Sequence, residues 1–206
     1  MITQSILFIP DISGFTKFVN ETEIEHGQRI TVALIEEIIS SNYLKFTVSE
    51  IEGDAILFYS EDKYIKEKDL VELSLHIFKK FHQKRIELNK ATSCDCGACK
   101  SIKNLTLKFI VHSGEISFIK ISGIHKLYGR DVILIHKLLK NNINENQYIL
   151  FTKARDIDIS ELSSELSEPK IFIQDVEDIG MVEGIYFTFH NYDESLPHSH
   201  SHAHKH

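Results

Sequence analysis

Hydrophobic positions change their period along the chain, and the changes mark the elements. Residues 5–10, SILFIP, form an unbroken apolar run that predicts a strand ending at Pro10 and Asp11. From about Glu21 to Ser41 the apolar residues Ile30, Leu34, Ile35, Ile38 and Ile39 recur at helical spacing, which predicts a helix. Two runs near 43–51 and 55–59 flank Glu52-Gly53-Asp54 and predict a hairpin, with Gly53 free to take the positive φ of its turn. A second helix is expected over about 67–91, with Leu70, Leu73, Ile77 and Phe81 on one face. The segment LTLKFIVHSGEISFIKIS, residues 105–122, reads as two strands turning at Ser113-Gly114. A third helix over about 130–141, a strand QYILF, a polar irregular stretch over 152–169, and the strands KIFIQDV and EGIYFTF complete the pattern. Alternating helices and hairpins imply an α+β sandwich, a mixed or antiparallel sheet with helices packed on it. One domain over 1–190 is expected, with a Cys-rich insert at 92–104 and a disordered His-rich tail at 191–206.

Composition narrows the function classes. A chain of 206 residues, 42% hydrophobic, can bury one substantial core. Its formal charge of −7 argues against a nucleic-acid binder, which would carry a basic stripe. No apolar run is long enough for a membrane span. No basic segment precedes the first apolar stretch, so no secretory leader is expected. All three cysteines fall within CDCGAC, which is no disulfide framework, and a reducing cytoplasm is the expected compartment.

Candidate chemistry begins in SILFIPDISGFTKF, residues 5–18. Asp11 stands at the mouth of a strand, and a small-residue turn containing Gly14 follows. Alone this is a strand stop. Asp54, just after Gly53 at a hairpin tip, supplies a second strand-end acid. Two adjacent carboxylates repel, and one stays protonated unless a cation lies between them. Mg²⁺ or Mn²⁺ takes one or two carboxylates and completes its shell with phosphate oxygens. Two such ions polarise an attacking hydroxyl and a leaving phosphate. Backbone amides of the ISGFT turn suit a polyphosphate.

With these motifs, FIPDISGFTKF, EIEGDAILF, FIVHSGEI and, more weakly, KLYGRDVILIHKLLK, the chain resembles the class III nucleotidyl cyclases over residues 4–190. It is also similar to an uncharacterised cyclase-like branch with a Cys-rich insert. The resemblance implies a ferredoxin-like α+β core and a head-to-tail homodimer binding a purine nucleoside triphosphate. Asp11 and Asp54 would hold Mg²⁺ or Mn²⁺, with the Ile12 carbonyl as a further ligand. Gly14, Phe15 and Thr16 would line the triphosphate, and Gly53 would shape the nucleotide site. Glu50 falls at the base-selecting position, where a carboxylate favours guanine.

The resemblance breaks in the other half-site. The ribose-orienting Asn of the family aligns with Ile133, and its transition-state Arg with Lys137. The second base-selecting position carries Lys126, and the triphosphate-binding Lys falls at Ile179. Lys137 keeps a charge without the bidentate fork of arginine. Arg130 and Lys126 are the cations placed to compensate.

Cys94, Cys96 and Cys99 offer three thiolates around Asp95 and Gly97, most of a tetrahedral Zn²⁺ site, with His76, His82 or His112 as fourth-ligand candidates. The plain alternative is three free loop thiols. The histidines of the tail suit Ni²⁺ or Zn²⁺ and have no part in the active site. Three functions stand: a cyclase-fold domain binding metal and nucleotide with weak or lost cyclisation, an active cyclase making cAMP or cGMP, or a non-catalytic metal- or partner-binding regulator.

Overall fold

The computed structural model describes residues 2–91, 101–153, 157 and 165–190. In chain order the elements are β1 (Ile2–Ser13), α1 (Phe15–Glu21), α2 (Ile24–Ser40), β2 (Thr47–Glu52), β3 (Ala55–Ser60) and α3 (Glu67–Ala91). A 3₁₀ turn at Ile102–Asn104 leads into β4 (Thr106–Ile121), β5 (Ile124–Tyr128) and α4 (Arg130–Lys137). A second 3₁₀ turn at Leu138–Lys140 precedes β6 (Tyr148–Thr152), β7 (Lys170–Val176) and β8 (Gly180–Thr188). Their spatial order is β2-β3-β1-β4-β6-β8-β7, with β5 paired to the far half of β4. Only the β4–β6 pairing is parallel among these, so the sheet is mixed. This is the expected α+β architecture.

The sheet is covered on both faces, which explains why SILFIP is apolar without alternation. Phe8 and Ile12 pack with α2 and α3 residues such as Leu34, Ile38, Leu73 and Phe81. Leu7 and Ile9 belong to a second core with Leu57, Ile110, Val132, Ile135 and Leu138 under α4. Side chains alternate along a strand, so Asp11 shares the α4 face with Leu7 and Ile9.

Four sequence expectations require correction. The helix expected over about 21–41 starts late, as α2 from Ile24, because Thr22 is extended (φ −115°, ψ 141°) with its hydroxyl donating to the Phe18 carbonyl, and the short α1 ahead of it was not expected. The strand expected from 43 starts at Thr47. Asn42 closes a loop ahead of it, its side chain accepting from Phe46 N–H (3.1 Å) and donating to the Phe46 carbonyl (2.8 Å). The third helix is α-helical only to Lys137 and then tightens to 3₁₀.

The fourth concerns Ser113-Gly114, which is no turn. β4 runs straight through it for 16 residues, pairing Ser113 with Ile6 and Gly114 with Ser5 of β1. The reversal comes at Ser122-Gly123, both left-handed (φ 50° and 86°), the geometry of a tight hairpin. The glycine at 114 serves a close approach instead, since a Cβ there would lie 2.3 Å from the Asp131 carboxylate. None of the described helices is long and apolar enough to cross a membrane.

Gly114→Ala should therefore destabilise the protein by at least about 1–3 kcal/mol, the usual cost of overpacking. In an Asp131→Gly background, which also removes the Cβ that would lie 2.5 Å away, the same substitution should cost much less. Urea unfolding of the four proteins checks this, and equal penalties in both backgrounds would contradict the close-approach assignment.

Candidate functional site

Asp11 is 8% exposed and lies opposite Ala55 of β3 and Lys108 of β4. The Ile12 N–H donates to the Asp54 carbonyl at 3.2 Å, which seats the β2–β3 turn against the end of β1. The two acids meet there. The Asp54 carboxyl is pushed up to about 6, first by its burial and then by the Asp11 charge. Lys108 works in the opposite direction on Asp54. Its Nζ lies 3.0 Å from Asp11 Oδ2 and donates to the Leu139 carbonyl at 2.9 Å.

A carboxyl that holds its proton up to about pH 6 beside another acid gains from a divalent cation in the proton's place, so the donor set fits Mg²⁺ or Mn²⁺. Among the described residues no three His, Cys, Asp or Glu side chains converge on a common point. The fit therefore rests on two carboxylates. The adjoining turn carries Gly14 in the left-handed region (φ 87°) as the cap of α1, its carbonyl accepting from Phe18 N–H at 3.1 Å. Phe15 leans on the core, whereas Thr16 is exposed. Gly53 likewise takes a positive φ of 62°, as its hairpin requires.

Residues from the second set line a separate cleft of about 750 Å³ between β2, β5, α4 and β7. Glu50 is engaged there on both oxygens, with Lys126 Nζ at 3.4 Å and His136 Nε2 at 3.1 Å. His136 Nδ1 lies 3.8 Å from Glu52. Ile133 is 56% exposed and offers no hydrogen bond. Lys137 donates to the Glu177 carbonyl at 2.6 Å and sits 3.6 Å from Asp178. Arg130 donates to the carbonyl of Ile179 at 2.9 Å. Both cations thus tie α4 to the β7–β8 turn.

Below the cleft, α4 is pinned to the sheet. His112, fully buried, contacts Asp131 Oδ1 through Nε2 (3.0 Å) and Thr152 Oγ1 through Nδ1 (2.6 Å). Asp131 Oδ2 accepts the Glu115 N–H at 2.7 Å. Burial lowers the His112 pKa, against the pull of Asp131. Burial raises Asp131, but the hydrogen bonds from His112 and Glu115 outweigh it and hold the carboxyl below its usual range.

This corrects His112 as a fourth zinc ligand, since both ring nitrogens are engaged inside the sheet. His82 is buried against Thr106 Oγ1 (3.2 Å) and pushed down to about 3 by burial and Arg85. His76 stands edge-on to Tyr43, 5.4 Å between centroids. Cys94, Cys96, Cys99 and the His-rich tail lie outside the described residues.

The sequence reading missed Lys108 and His136. The signal for Lys108 was a single cation inside the apolar run LTLKFIV. For His136 it was helical spacing, because residues 133, 136 and 137 share one face of a helix.

A carboxyl with a higher pKa folded than unfolded takes up a proton on folding. For Asp54 that stabilisation is fully present below 3.8 and is lost as pH rises through about 6. In chelator, Asp54→Asn should therefore gain stability relative to wild type between pH 5 and pH 7.5. The buried histidines act with the opposite sign in both proteins and cancel in the difference. Urea unfolding at the two pH values checks this, and a constant difference would contradict the shared site.

The fold is that of class III cyclase catalytic domains. The adenylyl cyclase CyaB from P. aeruginosa superposes with a TM-score of 0.66 at 17% identity, covering 96% of this chain and 98% of that one. The guanylate cyclase domain of RhGC from Catenaria anguillulae, solved in complex with GTP, gives 0.63 at 14% identity, covering 93% and 100%. At such identities the likeness shows the fold alone. A curated relative, the uncharacterized protein Rv2561/Rv2562 of Mycobacterium tuberculosis, is 29% identical over 133 residues, 65% of this chain. The match spans 61% of that relative's length. Residues 31–148, more than half of the chain, match the family described as "Protein of unknown function (DUF2652)", and the chain belongs to that family.

Proposed function

We propose that this chain binds a divalent cation and a purine nucleoside triphosphate through the Asp11–Asp54 end of a cyclase fold, with cyclisation weak or lost. The observation that carries the reading is the seating of Asp54 beside Asp11 by the Asp11↔Ala55 pairing and the Ile12 N–H bond to the Asp54 carbonyl, which lets the two charges oppose each other. Mg²⁺ or Mn²⁺ held by Asp11, Asp54 and the Ile12 carbonyl would supply the charge that a triphosphate requires. The amides of Gly14, Phe15 and Thr16 border the same end of β1 and suit the phosphate chain. Glu50 favours guanine, with Gly53 shaping the hairpin that carries it. GTP is therefore the favoured nucleotide.

The catalytic half supports weak turnover. Ile133 has no group to orient a ribose, and Lys137 is committed to Glu177 and Asp178. Loss of one transition-state donor typically costs about 10²–10³ in rate. An active cyclase making cAMP or cGMP would need the Glu50–His136–Lys126 cleft to supply those donors from new positions. A head-to-tail homodimer is supported by the β4–β5 ribbon, where Phe118, Ile121, Ile124 and Tyr128 are 45–62% exposed. The spacing of Cys94, Cys96 and Cys99 supports a structural Zn²⁺, and three cysteines within one short segment, which make no disulfide framework, fit a cytoplasmic protein.

Calorimetry with Mn²⁺ should show GTP binding more tightly than ATP, with binding lost in Asp54→Asn. Product analysis should find slow cyclic nucleotide formation or none in wild type. Ile133→Asn with Lys137→Arg should raise turnover at least about tenfold if the helix supplies the partner half-site. Equal nucleotide binding by wild type and Asp54→Asn would overturn the reading. Fast wild-type turnover would overturn the pseudo-enzyme part alone.

A further inference from the structure

Lys108 is built into the carboxylate site by the sheet itself. β1 and β4 pair continuously from Ile2↔Ser117 to Ser13↔Thr106, with Asp11 directly opposite Lys108. A register this long does not slip, because a one-residue shift would move every side chain to the other face. Lys108 has the same parity as Ile110, which belongs to the core under α4. The side chain therefore rises into the space between Asp11 and the 3₁₀ turn at Leu138–Lys140.

Two anchors hold the ammonium there. Asp11 Oδ2 lies at 3.0 Å and the Leu139 carbonyl at 2.9 Å, with the Lys108 and Asp11 side chains only 19% and 11% exposed. Such a contact is little screened by solvent, unlike a surface ion pair. Asp54 also feels this charge. The site thus already contains one fixed positive charge against two carboxyl groups.

We infer that Lys108 is a tethered cation filling one of two ion positions beside Asp11, so that the carboxylate pair holds one divalent ion rather than two. This rests on the metal-binding reading above. One divalent ion with the ammonium more than neutralises the two carboxylates and leaves attraction for a phosphate. A second ion would approach the ammonium within the same few ångströms, with no further carboxylate to offset the repulsion. The Leu139 carbonyl holds the ammonium in place, and its stem is covered on the α4 face.

Electron paramagnetic resonance of full-length protein with Mn²⁺ and 3′-deoxy-GTP, which cannot cyclise, tests this. Two Mn²⁺ ions bridged by the same carboxylates are spin-coupled, whereas distant ions on the tail are not. Wild type should show no coupled pair. Lys108→Met, which keeps the stem and removes the charge, should show one, and Lys108→Arg should not. A coupled pair in wild type overturns the inference whatever the variants do, as does a folded Lys108→Met without one. If Lys108→Met does not fold, the wild-type and Lys108→Arg spectra still decide, a coupled pair in either overturning it. Asp54→Asn separates the two claims: uncoupled Mn²⁺ bound there as tightly as in wild type overturns the metal reading itself.

Discussion

Two acids are held together at the end of β1, and the cost of that contact organises the site. Asp11 is fixed by pairing on both sides, with β3 and with β4, and Asp54 is fixed by the hydrogen bond from Ile12 N–H to its carbonyl. Neither backbone position can shift without breaking these pairings. The repulsion is met in part by the retained proton on Asp54 and in part by Lys108. On the proposed reading the Asp54 proton gives way to a divalent ion, whereas the ammonium competes for Asp11 and opposes a second ion.

The same face carries α4, whose position depends on contacts far from the acids. His112 and the Glu115 N–H grip Asp131 in the first turn of α4, and Gly114 leaves the space this requires. Lys137 and Arg130 then join the helix to the β7–β8 turn. Lys108 connects the two regions through the Leu139 carbonyl. A helix held at both ends in this way presents Ile133, His136 and Lys137 to the cleft as a fixed row. On the proposed reading, movement of this helix therefore brings no polar group to the place of Ile133.

Much of this was legible where local pattern and tertiary role coincide. The Asp54 position followed from a glycine turn, and α3 from uninterrupted helical periodicity, whereas β1 does not stop at Asp11 as expected but pairs on to Ser13. Failures came where one residue type serves two purposes. Gly114 looks like a turn residue, but its missing side chain makes room for Asp131, which lies 17 positions away in sequence. β5 is half-exposed along its length, so no apolar alternation announces it. Lys108 broke the apolar pattern of β4 visibly, yet its partner Asp11 is identified only by the strand register. Glu50 was placed correctly on β2, whereas its engagement by His136 spans 86 positions and leaves no local trace.

The most direct test of the central claim is anomalous diffraction from crystals grown with Mn²⁺. The account expects a manganese peak at the end of β1, about 2 Å from oxygens of both Asp11 and Asp54. Manganese bound elsewhere in the chain, with none beside the two carboxyls, would contradict it.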